Sequence, residues 1–424
     1  MGIHFKKLYI LLIALIFSCL ATMFSCRAKK GKLLKIDTAS IEKRDKDKNL
    51  TILNFEKLSS VKKTINNESS RVYAPYQSLI KEADKALNEG VFSVTDKTQM
   101  PVSGDIHDYL SIGPYWWPDP EKPDGLPWMH RDGEVNPLTR GGNLDLQRKA
   151  RFFRNTYRLA IAHFLSGKQE YADKAIELLQ VWFLDPDTKM NPNLNYAQGI
   201  PGRTDGRCIG IIEFVGIKEI ISAIELLELD GTMDNKTSES LRSWLEDYLY
   251  WLQNSKNGID ESTRKNNHGT WYDVQLVALL MFFDRLEEAK TALRTVKKNR
   301  IDSQIAKDGK LPLELARTRP LHYSAYNLEA FTYLAYFGKK LNVDLWNYSP
   351  QNAGGIQDAY HFLYPYAKQE LKWESTDIGG LEEELEYLKQ LFLMAGNMFE
   401  ITEYLDIGLG MNKKDDFKII SYSF

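Results

Sequence analysis

Residues 271–283 read WYDVQLVALLMFF, and this stretch decides the fold class because its apolar residues repeat with the period of a helix. Trp271, Val274, Ala278 and Phe282 follow the i, i+3, i+7, i+11 spacing of one helix face. Nine further segments show helical periodicity and predict helices at 76–88, 144–165, 170–184, 209–227, 237–253, 285–297, 326–337, 355–368 and 380–404.

Short turns such as Ser166-Gly167-Lys168 separate many of these segments. Helices joined by turns this short form antiparallel hairpins. No convincing run of alternating apolar and polar residues predicts a sheet. The chain is therefore predicted to be all-α. From its periodicity alone it forms either a closed α/α toroid or an open α-solenoid.

The composition limits the classes of function. The 424 residues are 43% hydrophobic, 12% aromatic and 26% charged, which is typical of a folded protein. The formal net charge is -2, whereas a nucleic-acid-binding protein usually has a basic domain, so no nucleic-acid partner is expected. A polyanionic ligand is compatible with this charge, because a cleft can be basic within a nearly neutral protein.

The N-terminal residues predict export. Residues 1–26 combine two lysines with an apolar stretch, which is the pattern of a secretory signal peptide, and Cys26 follows a loose lipoprotein box. We expect Cys26 to be lipidated; plain secretion and a retained anchor helix are the alternatives. Residues 27–75 are predicted as a polar linker and lead-in, and residues 76–424 as a single domain. The expected location is the periplasm or the outer membrane of a bacterium, with the lipid as the only membrane contact.

Two long irregular stretches, at 101–144 and 185–207, interrupt the helices. Long loops on a helical scaffold usually carry function. Their aromatic rings suit stacking on the C–H face of a sugar, and their polar side chains suit carboxylates and hydroxyls. The alternative is that the rings cap the core and the arginines are solvated. The candidate substrate contacts here are Tyr115, Trp116, Trp117, His130, Arg131, Asn195, Gln198 and Arg203.

The run NNHGTWYD at 266–273 is a further candidate site. Its spacing places His268 and Tyr272 on one helix face. Two amides and the histidine lie at a helix N-terminus, which favours negative charge nearby. The alternative is a histidine with a purely structural role. We take Asn267 and His268 as candidate catalytic residues and Tyr272 as a candidate substrate contact.

The run LELARTRPLHYSAYN at 313–327 is the last candidate site. Pro320 is expected to end any helix and to favour an extended segment, in which His322 and Tyr323 point to opposite sides. The alternative is a turn with a packed tyrosine. The candidate residues in this run are Arg317, Arg319, His322 and Tyr323.

The sequence has no HExxH, no His-x3-His and no Gly-x-Ser-x-Gly motif, so we expect neither a metal nor a cofactor. Histidine, tyrosine, asparagine and arginine together fit β-elimination in a uronic-acid polymer. Amide and guanidinium groups neutralise the uronate carboxylate and stabilise the enolate that forms. A base removes the C5 proton and an acid protonates the O4 leaving group. An arginine beside a tyrosine is expected to make the phenol more acidic.

These motifs resemble a known family. The stretch HDYLSIGPYWWPDPEKPDGLPWMHRDGEVNP at 107–137, the NNHGTWYD run and the run ELARTRPLHYSAYNLEA look like the alginate lyase domain superfamily of polysaccharide lyases. The resemblance covers about residues 74–396, with the three motifs in the family order. It implies an α/α toroid, an incomplete barrel of about six to seven helical hairpins with the aromatic loops over the cleft. It also implies an anionic polysaccharide as the substrate.

The resemblance also implies residue roles. Asn267 and Arg317 neutralise the substrate carboxylate, His268 is a candidate base, and Tyr323 is the general acid or both acid and base. Six residues separate Arg317 from Tyr323, against seven in the better-known alginate-specific branch, which indicates a sister branch. The polymer therefore stays open between alginate, glucuronan and another uronan. The neutralising arginine stays open between Arg317 and Arg319.

Two other classes of function compete with a lyase. The first is a glycan-binding surface lipoprotein without catalysis, which would not need the histidine, arginine and tyrosine sets together. The second is an α/α-toroid glycoside hydrolase, whose chemistry requires a pair of carboxylates. Asp108, Asp205 and Glu213 are the candidates for that pair.

Overall fold

The computed structural model describes residues 50–374 and 380–410. Within these residues the α-helices, in chain order, are α1 (Phe55–Thr64), α2 (Tyr73–Asn88), α3 (Leu146–Ser166), α4 (Gln169–Phe183), α5 (Ile217–Leu229), α6 (Asn235–Asn254), α7 (Lys256–Ser262), α8 (Asn267–Phe282), α9 (Leu286–Val296), α10 (Asp302–Gln304), α11 (Pro312–Leu315), α12 (Pro320–Leu341), α13 (Ile356–Ala367), α14 (Leu381–Phe399) and α15 (Thr402–Leu409). The strands are β1 (Leu110–Ile112), β2 (Trp116–Trp117), β3 (Met129–His130) and β4 (Tyr196–Gly199).

The helices form an α/α toroid, which confirms the predicted fold class. The long helices α3, α5, α8, α12 and α14 make the inner ring, and each contacts the next in that order. Helices α4, α9 and α15 pack against α3, α8 and α14 respectively. Every residue of α8 from Val277 to Phe282 is buried, as an inner helix requires. The outer helix α9 instead buries the single stripe Ala289, Leu293 and Val296.

The expectation that Pro320 ends a helix is wrong. Pro320 is the first residue of α12, and His322 and Tyr323 lie in the first turn of this helix. The first-turn N–H groups of a helix have no partner inside the helix, so a proline at this position loses no hydrogen bond. Its fixed φ also suits the helix. The extended segment that was expected to separate His322 from Tyr323 is therefore absent from this part of the structure.

Short strands bring the two irregular stretches together. Strand β1 pairs in parallel with β4, so that the 101–144 loop contacts the 185–207 loop. Strands β2 and β3 form an antiparallel hairpin that pairs Trp116 with His130 and Trp117 with Met129. Sequence periodicity missed these strands because each has only two to four residues, too few for an alternation to show.

The folded domain begins earlier than the predicted boundary at residue 76. Leu53 and Leu58 are buried in the main core, and both Thr51 N–H and Thr51 Oγ1–H donate to the buried carboxylate of Glu225 on α5. Residues 50–64 therefore belong to the toroid rather than to a linker. The predicted signal peptide, Cys26 and residues 27–49 of the linker lie outside the described residues. Within the described ranges, no helix is long and apolar enough to cross a membrane.

If residues 50–64 are part of the core, a cavity made there must destabilise the whole domain. We expect Leu58→Ala to lower the free energy of unfolding by about 2–5 kcal/mol. The exposed Leu409 provides the matched control, and Leu409→Ala should change this free energy by about 0.5 kcal/mol or less. Urea denaturation followed by circular dichroism measures both. Equal stability of the two variants would contradict the packing of α1 in the core.

Candidate functional site

The buried carboxylate of Glu314 on α11 joins two of the sequence motifs. It accepts the backbone N–H of Asn267 and the Nδ2–H of the same residue, each at 2.7 Å. Asn327 on α12 donates its Nδ2–H to Oε1 of Glu314 at 3.2 Å. Burial raises the pKa of Glu314, while the hydrogen bonds from Asn267 and the charges of Arg317 and His268 oppose this rise. The starts of α8 and α12 therefore meet around one carboxylate, which sequence analysis did not single out.

The imidazole of His268 has a buried carboxylate as its partner. Its Nδ1 lies 2.8 Å from Oε1 of Glu261 on α7, and the side chain of Glu261 is fully buried. An Nδ1–H donated to this carboxylate leaves Nε2 as a proton acceptor. This tautomer follows from the hydrogen-bond pattern. His268 therefore has a ring nitrogen that can accept a proton. Sequence analysis missed Glu261, because nothing in the run GIDES at 258–262 distinguishes this residue from an ordinary solvent-exposed acid.

The phenol of Tyr323 is half of a tyrosine pair. Its Oη lies 2.6 Å from Oη of Tyr115, a residue of the 101–144 loop. The guanidinium of Arg317 lies over the Tyr323 ring, with Cζ 3.9 Å from the ring centroid. Burial and the contact with Tyr115 nevertheless raise the pKa of Tyr323, and Arg317 offsets only part of the rise. The expectation that arginine leaves this phenol more acidic than usual is wrong. Tyr323 carries its proton at neutral pH and is ready to act as an acid.

Both candidate arginines bind carboxylates. Arg317 donates from Nε and Nη2 to the two oxygens of Asp132, at 3.1 and 2.6 Å. Arg319 donates to Glu384 on α14, and Nδ1 of His322 lies 2.8 Å from the other oxygen of Glu384. Burial alone would raise the pKa of Asp132, but the bonds from Arg317 outweigh it and hold the pKa below its ordinary value. Sequence analysis missed both carboxylates, since each is distant in sequence from its partner.

The β2–β3 hairpin presents aromatic and cationic groups beside Tyr115. The His130 ring lies 5.2 Å from the Trp116 ring, centroid to centroid. The guanidinium of Arg203 lies 5.4 Å from the Trp116 ring, and that of Arg131 lies 5.0 Å from the Trp117 ring. These predicted contacts therefore cluster at one edge of the site. The cationic side chains give this edge a positive charge that suits an anionic polymer.

Other predicted substrate contacts have structural partners. The hydroxyl of Tyr272 donates to the backbone oxygen of Leu252, so this group already has a partner within the protein. Asn195 Oδ1 accepts the indole N–H of Trp251. Gln198 is buried in a left-handed conformation with φ of 49°. The helical spacing predicted His268 and Tyr272 on one face of α8 but could not show whether Tyr272 turns toward the core.

Two of the three carboxylates of the competing hydrolase hypothesis, Asp108 and Glu213, lie in structural hydrogen-bond sets, and the third, Asp205, is exposed. Asp108 accepts from Ser103 at 2.7 Å and from Asn191 at 2.9 Å. Glu213 accepts from the hydroxyls of Tyr109 and Ser111 at 2.8 and 2.7 Å. Neither carboxylate contacts His268 or Tyr323 in these bonds. No group of three or more His, Cys, Asp or Glu side chains arranged to hold a metal ion occurs within residues 50–374 and 380–410.

Comparison with known proteins identifies a matching family and similar solved structures. The family model described as alginate lyase matches residues 93–373. The crystal structure of an alginate lyase from Bacteroides ovatus is 36% identical in sequence, covers 88% of this chain and 98% of its own, and has a TM-score of 0.82. Alginate lyase A1-III from Sphingomonas species A1 is 17% identical over 75% of this chain and 86% of its own, with a TM-score of 0.46. A search of curated protein sequences gives no match.

The Asp132–Arg317 contact predicts a stability difference that depends on pH. We expect Asp132→Asn to lower the free energy of unfolding by about 1 kcal/mol at pH 7, since it removes a bidentate, partly exposed ion pair. The folded-state pKa of Asp132 lies below its unfolded value. The contribution is therefore present above the unfolded pKa and is lost as the pH falls through the folded pKa.

Thermal denaturation of the wild type and Asp132→Asn between pH 7 and pH 3 measures this difference. Asp124→Asn, an exposed change in the same loop, is the matched control and should leave the curve unchanged. A difference between wild type and Asp132→Asn that stays constant down to pH 3 would argue against the ion pair.

Proposed function

Since the chain belongs to the alginate lyase family and is a polysaccharide lyase, we propose that it cleaves a uronic-acid polymer by β-elimination. The observation that carries the proposal is that the charges of His268 and Arg317 both act on the buried carboxylate of Glu314, while the guanidinium of Arg317 lies over the ring of Tyr323. An imidazole with a free ring nitrogen can accept a proton, and a protonated phenol can donate one. The cationic edge formed by the β2–β3 hairpin fits the charge of a uronan.

The reaction needs three steps at the sugar. The substrate carboxylate is neutralised, so that the C5 proton becomes acidic and the enolate is stabilised. A base then takes the C5 proton, the electron pair forms a C4–C5 double bond, and the C4–O4 bond breaks. An acid gives its proton to O4, which leaves as the new chain end.

We assign the neutralising role to Asn267 and Arg317. Nε and Nη2 of Arg317 bind Asp132, which leaves Nη1 to donate to a substrate carboxylate. Asn267 is held by two bonds to Glu314, and this fixes the orientation of its amide before substrate arrives. Arg319 shares Glu384 with His322, so we assign both of these residues to binding a neighbouring sugar.

The stereochemistry of the uronate decides which group is the base. Mannuronate and glucuronate have the same configuration at C4 and C5, and their C5 proton and O4 leave from one side. Tyr323 then serves as base and acid in turn, which requires that it first lose the proton that its raised pKa retains. Guluronate is inverted at C5, so its proton and O4 leave from opposite sides. In that case His268 takes the proton and Tyr323 gives one.

We also propose that the enzyme is exported and held at a bacterial membrane by a lipid on Cys26. The support is the sequence of residues 1–26 alone. A lyase outside the cytoplasm meets a polymeric substrate before any import step.

Ultraviolet absorbance tests the proposed function. Purified residues 27–424 are mixed separately with polymannuronate, polyguluronate, glucuronan and a neutral glucan. We expect absorbance to rise on at least one uronan, because the new C4–C5 double bond is conjugated with the carboxylate, and to stay flat on the glucan. Reducing ends that appear without absorbance would show hydrolysis instead, and polymer binding without either signal would show a binding protein.

Tyr323→Phe tests the proposed acid. We expect turnover to fall by about 10²–10⁴-fold on every uronan that the wild type cleaves, because the variant has no proton for O4. Binding of the polymer should change little, since only one hydroxyl is removed. The control is Tyr250→Phe, at a tyrosine that is 70% exposed, and it should keep full activity. Turnover retained by Tyr323→Phe would remove this residue from the mechanism.

His268→Ala and Glu261→Gln test the proposed base. Both changes should lower kcat on polyguluronate by about 10-fold or more, one by removing the imidazole and the other by removing the charged acceptor that orients it. Both should have a smaller effect on polymannuronate, where Tyr323 acts as the base. His361→Ala, at an exposed position on α13, is the control. Equal losses on the two polymers would argue against the division of roles.

A further inference from the structure

A cavity lies inside the toroid, away from the residues of the candidate site described above. Its volume is about 400 Å³, and its walls come from α3, α5, α12, α14 and residues 52–57. Tyr333, which lines it, follows Tyr323 by ten residues on α12, a distance of about 15 Å along a helix. Asn267, His268 and Arg317 are not among its lining residues. The size is that of a cavity for a small ligand.

The walls of this cavity, called the ring cavity below, carry more positive than negative charge. Five cationic residues line it against two carboxylates. Arg154 on α3 is exposed, so the ring cavity opens to solvent beside this residue. Such a lining favours a ligand with a negative charge. The charged lining residues are Lys57, Lys149, Arg154, Arg158, Lys218, Glu213 and Glu219.

Two buried carboxylate oxygens in these walls have no donor. Oε2 of Glu213 accepts from Tyr109 and Ser111, but its buried Oε1 has no hydrogen-bond partner, and the residue is only 9% exposed. Oε1 of Glu219 accepts from Lys218, while its buried Oε2 has no partner. Buried acceptors of this kind are rare unless a ligand or water supplies the donor. Hydroxyl groups are donors of the right type.

The remaining walls suit a sugar ring. The aromatic rings of Phe153, Tyr157 and Tyr333 line the ring cavity and offer apolar faces to the C–H groups of a pyranose. We propose that the ring cavity is a second carbohydrate site that holds a monomeric uronate, whose hydroxyls donate to Glu213 and Glu219 and whose carboxylate binds Arg154. The choice of a uronate rests on the proposed function, because the proposed substrate polymer is built of such sugars. The site itself needs no lyase activity.

Isothermal titration of residues 27–424 with D-glucuronate, D-mannuronate and D-glucose tests this site. These monomers have no glycosidic bond for the enzyme to cleave. We expect saturable binding of a uronate and at least tenfold weaker binding of glucose. Arg154→Ala should weaken uronate binding at least tenfold, because it removes a charged donor. Arg294→Ala, at an exposed arginine on the outer helix α9, is the matched control and should leave uronate binding unchanged.

Two further variants separate the ring cavity from the catalytic site. Ser222→Leu places a larger side chain at a position that lines the ring cavity and should block uronate binding while circular dichroism shows an unchanged fold. Arg317→Ala removes the carboxylate contact that we assign to the catalytic site, so uronate held there is lost while the binding that depends on Arg154 remains. Binding that is lost with Arg317→Ala but kept with Arg154→Ala would overturn the proposal. So would the absence of saturable uronate binding, which would mean that water fills the ring cavity.

The outcomes distinguish this proposal from the proposed function. Uronate binding that depends on Arg154, in a protein that cleaves no uronan, would support the ring cavity and refute the lyase assignment to uronans. Cleavage of a uronan without binding that depends on Arg154 would refute the ring-cavity proposal alone.

Discussion

The buried carboxylate of Glu314 is the contact on which the candidate site depends. It lies between two inner helices and is bonded to the amide of Asn267 on α8 and to Asn327 on α12. Such a carboxylate is costly to bury unless donors surround it, and its raised pKa reflects that cost. The contact fixes the start of α8 relative to the start of α12. His268 lies in the first turn of α8, and Tyr323 lies in the first turn of α12.

Three carboxylates of the protein form hydrogen bonds with arginine and histidine side chains of the candidate site. This arrangement orients the functional groups before a substrate arrives, which lowers the reorganisation required during the reaction. If the substrate is a uronan, as we propose, its carboxylate must compete with, or share donors with, a carboxylate of the protein. Specificity for one uronan then depends on which of these contacts a given sugar can replace. The pairs are Glu261 with His268, Asp132 with Arg317, and Glu384 with Arg319 and His322.

The N-terminal residues and the aromatic loop complete the toroid at different places. Residues 50–64 pack against α5 and α14 and help to enclose the ring cavity. The 101–144 loop instead supplies Tyr115 and Asp132 to the catalytic site. Neither segment has the strong helical periodicity of the inner ring. Both nevertheless affect what the toroid can bind. The reason is that the ends of the inner helices carry backbone N–H and C=O groups that these helices cannot partner by themselves.

The sequence by itself determined the long helices, their order and the family, but not the short helices such as α1 and α7. Periodicity is local, so that the stripe on WYDVQLVALLMFF is readable without any knowledge of neighbours. The motifs around His268 and Tyr323 are also contiguous, and this made the functional class recognisable. A local pattern at Pro320 misled us, since the same residue that stops a helix also suits its first turn.

Only the tertiary structure determined which residues are hydrogen-bond partners in the candidate site. Tyr115 and Tyr323 are 208 residues apart and their hydroxyls lie 2.6 Å apart, while Asp132 and Arg317 are separated by 185 residues. Which acids partner the site, which face of α8 carries Tyr272 into the core, and whether Tyr323 is more or less acidic all depend on packing between distant segments. The physical reason is that burial and charge, which set a pKa, are properties of the surroundings in space and not of the neighbours in the chain.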